Sequence, residues 1–259
     1  MSEYLGSEQA RNEKNSRFKL QCPHQGTHTK TYTRHNHKIA RREEDVNSME
    51  VKQMPYEEKY RGILDEMKMC RGFVLPIVKK DLGVQKAAEL EAIWKDETKL
   101  IRDDASCEEK FEIVYGNWTR RWTSAYNFVE ANLGEKGIEE FKREAERANI
   151  EAVKRKAGRP ALLLLKLMRA VSPSTAFRTL ARQLSYQLQV FTPFTGSELS
   201  GNRLVLDAHP CMVADQTNSG ALCTVGCQQI YRPVLKETFG VSMAVNPQGK
   251  NCTITFTPT

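Results

Sequence analysis

Leu204-Val205-Leu206-Asp207-Ala208-His209-Pro210-Cys211, then Cys223-Thr224-Val225-Gly226-Cys227, then Gly249-Lys250-Asn251-Cys252-Thr253-Ile254-Thr255-Phe256, are the stretches whose reading decides the fold. Leu204 and Leu206 alternate with their neighbours, which predicts a short strand over 203–207 with both leucines on one face. Cys223 and Cys227 are four apart in a stretch, 219–239, that reads as a helix bent at Pro233 and closed by Gly240, so their thiols share a face. Residues 241–245 read as a strand, Asn246-Pro247-Gln248-Gly249 as a turn, and 251–257 as the last strand, carrying Cys252. Upstream, Leu188, Val190 and Phe191 begin an extended stretch broken at Pro193, and 196–202 reads as a turn-rich connection. The order strand, strand, helix, strand, strand implies an antiparallel sheet with helices to one side, an α+β arrangement.

The preceding half is helical. From Pro55, a residue suited to a first helical turn, Tyr56, Tyr60, Ile63, Leu64, Met67, Cys70 and Val74 recur at spacings of three and four. Pro76 is expected to kink or end this helix. A second helix is expected over 85–102, with Leu90, Ile93, Trp94 and Ile101 inward. Ser106 followed by Glu109 has the form of a capping box. The helix it opens carries Phe111, Val114, Tyr115, Trp118, Trp122, Tyr126, Val129 and Leu133, and Gly134 ends it. This aromatic stripe is either core or a cage for a ligand, with Trp118 and Trp122 as the candidate contacts. A charged helix over 138–157 is closed by Gly158-Arg159-Pro160, and two shorter helices follow. One is apolar, over 161–171. The other begins at Ser172-Pro173 and puts Phe177, Leu180, Ala181, Leu184 and Leu188 on one side. The expected division is a helical region over 55–158 and an α+β domain over 159–259, without internal repeats.

Residues 1–48 differ from the rest: polar, without apolar periodicity, and holding four of the five histidines. They read as a disordered tail or a non-native start, with translation beginning at Met49 or Met54 as a further alternative. Cys22, His24, His28, His35 and His37 are of zinc-ligand type, but their spacing matches no zinc module.

The chain of 259 residues has a formal net charge of +7, and its basic residues interleave with Glu along helical faces such as 141–156. That pattern reads as a solvated surface; with no zinc-finger, RRM or KH pattern, nucleic acid is not an expected partner. There is no apolar leader and no apolar run long enough to span a bilayer, so a soluble cytoplasmic protein is expected. Seven cysteines, an odd number without a secretion signal, point to reduced thiols.

Cys211, Cys223, Cys227 and Cys252 can converge if the last strand returns against the helix. Three readings stand: buried small residues of a core; a metal site of Cys211 or His209 with Cys223, Cys227 and Cys252, zinc being the suited ion; or a pocket lined by a reactive thiol. Cys223 with His209, the one histidine outside the N-terminal segment, is a candidate nucleophile–base pair. Asp207 and Asp215 flank the His209–Cys211 turn as orienting groups or as turn formers. No GxGxxG, Walker, HExxH or GxSxG pattern occurs.

The three stretches quoted above resemble the L-2-amino-thiazoline-4-carboxylic acid hydrolase family, which is itself similar to the 4-vinyl-reductase domains. The resemblance covers about 55 residues. It implies a small-molecule-handling α+β module and hydrolysis of a cyclic amidine-like ring. Water or a thiolate would attack the carbon between nitrogen and sulfur, and an acid would protonate the leaving heteroatom. Cys223, Cys227 and His209 are then the catalytic candidates, and Arg203 or Arg232 would hold the substrate carboxylate. Two departures are visible. Residues 241–251 lack the further cysteine that 4-vinyl-reductase domains often carry, and Lys250 stands where an acidic residue is common. The alternatives are a non-catalytic ligand-binding or sensory module, whose pocket would be apolar and deep, and a regulator that binds a partner through its helical half. A small-molecule ligand and a homodimer are the partners this reading entertains.

Overall fold

The computed structural model describes residues 47–48, 51–95, 101–213 and 222–259. The tail reading of 1–48, with Cys22 and the four histidines, lies outside these residues except for Asn47–Ser48, which form a short strand β1. The elements that follow are α1 (Tyr56–Leu82), α2 (Val84–Trp94), α3 (Cys107–Ala157), α4 (Arg159–Val171), α5 (Pro173–Gln187), β2 (Gly196–Ser200), β3 (Arg203–Ala208), a π-helix (Leu222–Tyr231), α6 (Arg232–Phe239), β4 (Val241–Gln248) and β5 (Asn251–Pro258). The fold is α+β, as the change of hydrophobic period predicts.

The long helices form where their apolar stripes meet. α1 buries Tyr60, Ile63, Met67, Cys70, Phe73, Val74, Ile77 and Val78 against α3. The helix continues past Pro76 instead of ending there. Pro76 lies on the exposed face and its i−4 partner is the exposed Gly72, so the unbonded carbonyl of Gly72 faces water. The four buried residues around Pro76 hold the helix against the loss of one hydrogen bond.

α2 ends at Trp94, short of the expected 102. Trp94 is buried, with Arg121 over its ring at 5.1 Å and its indole N–H donated to Ser124 Oγ at 3.0 Å. α3 opens on the expected capping box. Glu109 N–H donates to Ser106 Oγ at 3.2 Å, and Ser106 N–H donates to Glu109 Oε2 at 2.8 Å. Gly134, with φ +60° and ψ −152°, interrupts α3 where the sequence placed its end, and helical geometry resumes directly afterwards. α4 turns Leu163, Leu164, Leu167 and Val171 outward, with Val171 87% exposed.

The sheet has the order β1-β2-β3-β5-β4, antiparallel throughout. Register explains its one dry face. Leu204 lies opposite Phe256, Leu206 opposite Ile254 and Ala208 opposite Cys252. Met243 and Val245 of β4 meet Phe256 and Ile254 from the other side. All but the half-buried Val245 are buried, and the intervening residues point away. On that outer face Thr253 donates its hydroxyl to Asp207 Oδ1 at 2.8 Å.

Three local expectations change. The stretch at 188–190 is a 3-10 turn and not extended, because the Leu188 carbonyl accepts from Phe191 and Thr192. Within it, buried Gln189 accepts from Met54 N–H at 3.0 Å and donates to the carbonyls of Lys52 and Ser185. Residues 196–200, read as turn, are strand β2; register places their one buried side chain, Leu199, opposite Leu204. β4 continues through Asn246–Gln248, shrinking the turn to Gly249 and Lys250, and Pro247 is tolerated because β4 is an edge strand. The regions 55–158 and 159–259 pack together. One continuous apolar core takes Phe73 and Trp122 from the first and Phe177, Leu206 and Phe256 from the second.

Two glycines provide a test of the helix reading. A Cβ at Gly134 touches nothing, so Gly134→Ala carries backbone strain alone and should lower stability by about 1–3 kcal/mol. Gly72→Ala, in an exposed helix interior, should raise it by about 0.5–1 kcal/mol. Urea unfolding of both variants measures the two signs.

Candidate functional site

The π-helix lies between α3 and the sheet, and this placement brings the C-terminal cysteines together. Hydrogen bonding from i to i+5 replaces the α-helical pattern over Leu222–Tyr231 and gives way to α6 beside Pro233, which has no N–H to offer. From it Leu222, Cys223, Gly226, Cys227 and Tyr231 line a cavity of about 50 Å³. α3 contributes Trp118 and Trp122, and the sheet contributes Met243, Val245, Cys252 and Ile254. The 3-10 turn and the chain after it supply Leu188, Phe191, Thr192 and Phe194, and the loop after β3 supplies Cys211 and Val213. That loop is pinned at both sides: Cys211 N–H donates to the Lys250 carbonyl at 2.8 Å, and Met212 N–H to Thr192 Oγ1 at 3.1 Å.

All four candidate cysteines therefore reach one wall, the convergence the helix–strand order anticipates. Cys211, Cys223, Cys227 and Cys252 form no disulfide; Cys107 is disulfide-bonded, which the expectation of reduced thiols did not anticipate. Burial pushes the Cys252 thiol up to about 12, with Cys211 and Cys223 adding to it and a backbone hydrogen bond at Asn246 opposing. Burial likewise raises Cys227, reinforced by Cys223, Cys211 and Cys252. Cys223 is raised by burial and then by Cys211. These thiols are held protonated, and a thiolate nucleophile is disfavoured at neutral pH.

The remaining candidates lie elsewhere. His209, Arg203 and Arg232 are exposed and do not line the cavity, whereas Cys223 does. Among the described residues, no group of three His, Cys, Asp or Glu side chains is arranged to hold a metal ion. The zinc reading of Cys211, Cys223, Cys227 and Cys252 does not fit this geometry, because the sulfurs belong to the wall of an apolar cavity and not to a ligand shell. Asp215 lies outside the described residues; Asp207 is on the outer face of β3, bonded to Thr253.

Trp118 and Trp122 satisfy both readings of the aromatic stripe: they are buried in the core, at 3% and 4% exposure, and they line the cavity. Trp118 packs on Tyr115 and Phe191, with ring centroids at 5.2 and 5.5 Å, and Phe191 packs on Tyr231 at 5.3 Å. Tyr115 donates its hydroxyl to the Phe191 carbonyl at 2.5 Å and so fixes that ring. Trp122 meets Phe73 and Phe141.

Sequence reading missed the group behind Tyr231. Its hydroxyl donates to Glu66 Oε2 of α1 at 3.0 Å across 165 residues. Burial pushes the Glu66 carboxyl up to about 7; the Tyr231 hydroxyl and Lys156 pull it down, and Asp65 pushes it further up. A carboxylate at position 66, on the margin of an apolar helical stripe, carries no sequence signal of a partner so distant.

No family model matches this chain, and no curated protein matches it. Among the described residues no helix is long and apolar enough to cross a membrane.

Two outcomes follow from these environments. The folded protein holds the Glu66 proton more tightly than the unfolded chain does. Stability is therefore expected to be full below pH 4.5 with respect to this group and to fall as pH rises through about 7. The residue is only partly buried, so the expected fall is about 1–2 kcal/mol, and Glu66→Gln should flatten it in denaturant titrations between pH 5 and 8. Alkylation of Cys227 and Cys252 by iodoacetamide at pH 8, followed by peptide mass spectrometry, should run at least about a hundredfold slower than that of free cysteine.

Proposed function

We propose that this protein is a binding module for a small, largely apolar molecule, held in the cavity between α3, the π-helix and the sheet. The observation that carries this reading is the wall itself: aromatic, aliphatic and thiol side chains, and no charged one among the described residues. Cavities of this composition take ligands by burying apolar surface, and a few polar groups set orientation. The volume of about 50 Å³ limits the occupant to a handful of heavy atoms or to the head of a longer molecule.

Hydrolysis of a thiazoline acid asks for other groups. It needs a base beside the nucleophile, an ionisable thiol or an activated water, and a cation for the carboxylate. His209, Arg203 and Arg232 do not line the cavity, and burial keeps the thiols protonated. A non-catalytic module is also what the likeness to 4-vinyl-reductase domains implies when its catalytic residues are set aside.

Gly226 offers a direct test. A Cβ placed there meets no side chain nearer than Leu222 Cδ2 at 3.8 Å, so Gly226→Val adds bulk to this wall from an uncrowded starting atom. Methylenecyclopentane, a small cyclic hydrocarbon, should raise the melting temperature of the wild type by roughly 2–4 °C per kcal/mol of binding linkage. In Gly226→Val that response should vanish while melting stays cooperative. An unresponsive wild type would defeat the reading. Turnover of 2-aminothiazoline-4-carboxylate that disappears in Cys227→Ser would instead favour hydrolysis.

A further inference from the structure

The charge of this chain is laid out unevenly. Between Glu151 and Glu198 lie 46 residues with eight Lys or Arg and no Asp or Glu, while the rest of the sequence carries 31 basic and 32 acidic residues. The net positive charge of the protein therefore belongs to the end of α3, to α4 and to α5. The glutamates that alternate with lysine and arginine earlier in α3 stop at Glu151.

α4 lies within this stretch, and its two sides differ. The inner side is fixed to the protein: Leu165 packs against the core, and Arg169 donates to the carbonyls of Phe239 and Gly240 at 2.9 and 3.3 Å. The outer side is aliphatic. Leu163, Leu164, Leu167 and Val171 are between 57% (Leu167) and 87% (Val171) exposed, and their spacing puts them on one helical stripe. A single exposed leucine is ordinary, whereas four large aliphatic side chains on one stripe of a 13-residue helix form a patch.

The charged groups on and beside this helix are cationic. Lys166 is exposed on α4 itself. Arg155 is exposed at the end of α3, which joins α4 through Gly158 alone, and Arg178 and Arg182 are exposed on α5, which joins it through Ser172 alone. Among the described residues none of these four forms an ion pair. Lys154 and Lys156 reach Glu237 and Asp65 at 3.7 and 3.3 Å.

We propose that α4 docks this protein on an anionic lipid surface, lying in the plane of the headgroups with Leu163, Leu164, Leu167 and Val171 turned into the acyl region. A bilayer with acidic headgroups offers hydrocarbon beneath a negative layer, and this helix offers aliphatic side chains beside cations with no carboxylate to repel that layer. Thirteen residues make about 20 Å of helix, short of the roughly 30 Å of hydrocarbon in a bilayer, so α4 rests in the interface and does not cross it. Charge decides against the other occupants. A second copy would set the same cations against one another, and a nucleic acid would leave the leucines in water.

The test sediments full-length protein with vesicles of phosphatidylcholine alone, or of phosphatidylcholine with about one third phosphatidylglycerol, in about 0.1 M salt. Binding to the mixed vesicles should be tighter by roughly tenfold or more, and should weaken as salt is raised. The triple variant Leu163→Ser, Leu164→Ser, Leu167→Ser should lose roughly tenfold or more of that affinity. Lys166→Gln should lose about fivefold, and the loss should shrink at high salt. Val84→Ser with Ile93→Ser, which removes exposed apolar side chains from α2, should bind as the wild type does. All variants change exposed positions, and cooperative melting checks that each is folded. No binding to the mixed vesicles would overturn the proposal. Equal binding to neutral and mixed vesicles would overturn it too, as would binding that survives the triple serine variant. A wild-type dimer that the triple variant dissociates, without vesicle binding, would assign the stripe to a second copy instead.

Discussion

The packing of the segment Leu222–Tyr231 between the indole face of α3 and the dry face of the sheet is the constraint on which the rest depends. α3 supplies a rigid row of rings, since Trp118 and Trp122 are themselves wedged against Tyr115, Phe191, Phe73 and Phe141. The sheet supplies an aliphatic surface whose register is fixed by Leu204, Leu206, Phe256 and Ile254. Shifting β5 by one residue would turn Cys252, Ile254 and Phe256 outward and remove one side of the cavity. Between these two surfaces the helical segment widens to π geometry, and a small space remains. Pro233 marks where α-helical geometry resumes.

The chemistry of the site follows from that exclusion of water. One cause, burial, raises the thiols of Cys223, Cys227 and Cys252 and the carboxyl of Glu66. A wall of neutral thiols has little nucleophilic character and behaves as a soft apolar surface. Among the described residues the buried indole N–H groups of Trp118 and Trp122 have no acceptor, a deficit that costs more in a dry interior than in water. Glu66 is not a lining residue and meets the wall at Tyr231, whose hydroxyl donates to its carboxyl.

Much of the fold is legible in local pattern. The α1 stripe, the Ser106–Glu109 capping box, the break at Gly134 and the alternation of β3 and β5 all rest on neighbours within a few residues, and each is present. Legibility fails where packing overrides local preference. Pro76 is carried through α1 by four buried neighbours, and Gly196–Ser200 becomes a strand because a partner edge is waiting for it. In the site, Cys223 and Cys227 four apart and Cys252 on a returning strand could be read as converging. His209 could not be placed from the sequence; it is exposed and does not line the cavity.

By itself, the sequence determined which residue types carry chemistry and which elements hold them: four thiols around one helix and one strand, and two indoles on one helical stripe. The tertiary structure alone decided that these meet at a single cavity, that the thiols stay protonated, that Tyr231 finds Glu66 across 165 residues, and that among the described residues Trp118 and Trp122 have no acceptor while Trp94 does. The reason is physical. Helix and strand preferences are set by neighbours three or four positions away, which a sequence shows. Desolvation and hydrogen-bond satisfaction sum over atoms brought together from every part of the chain, and no local pattern contains that sum.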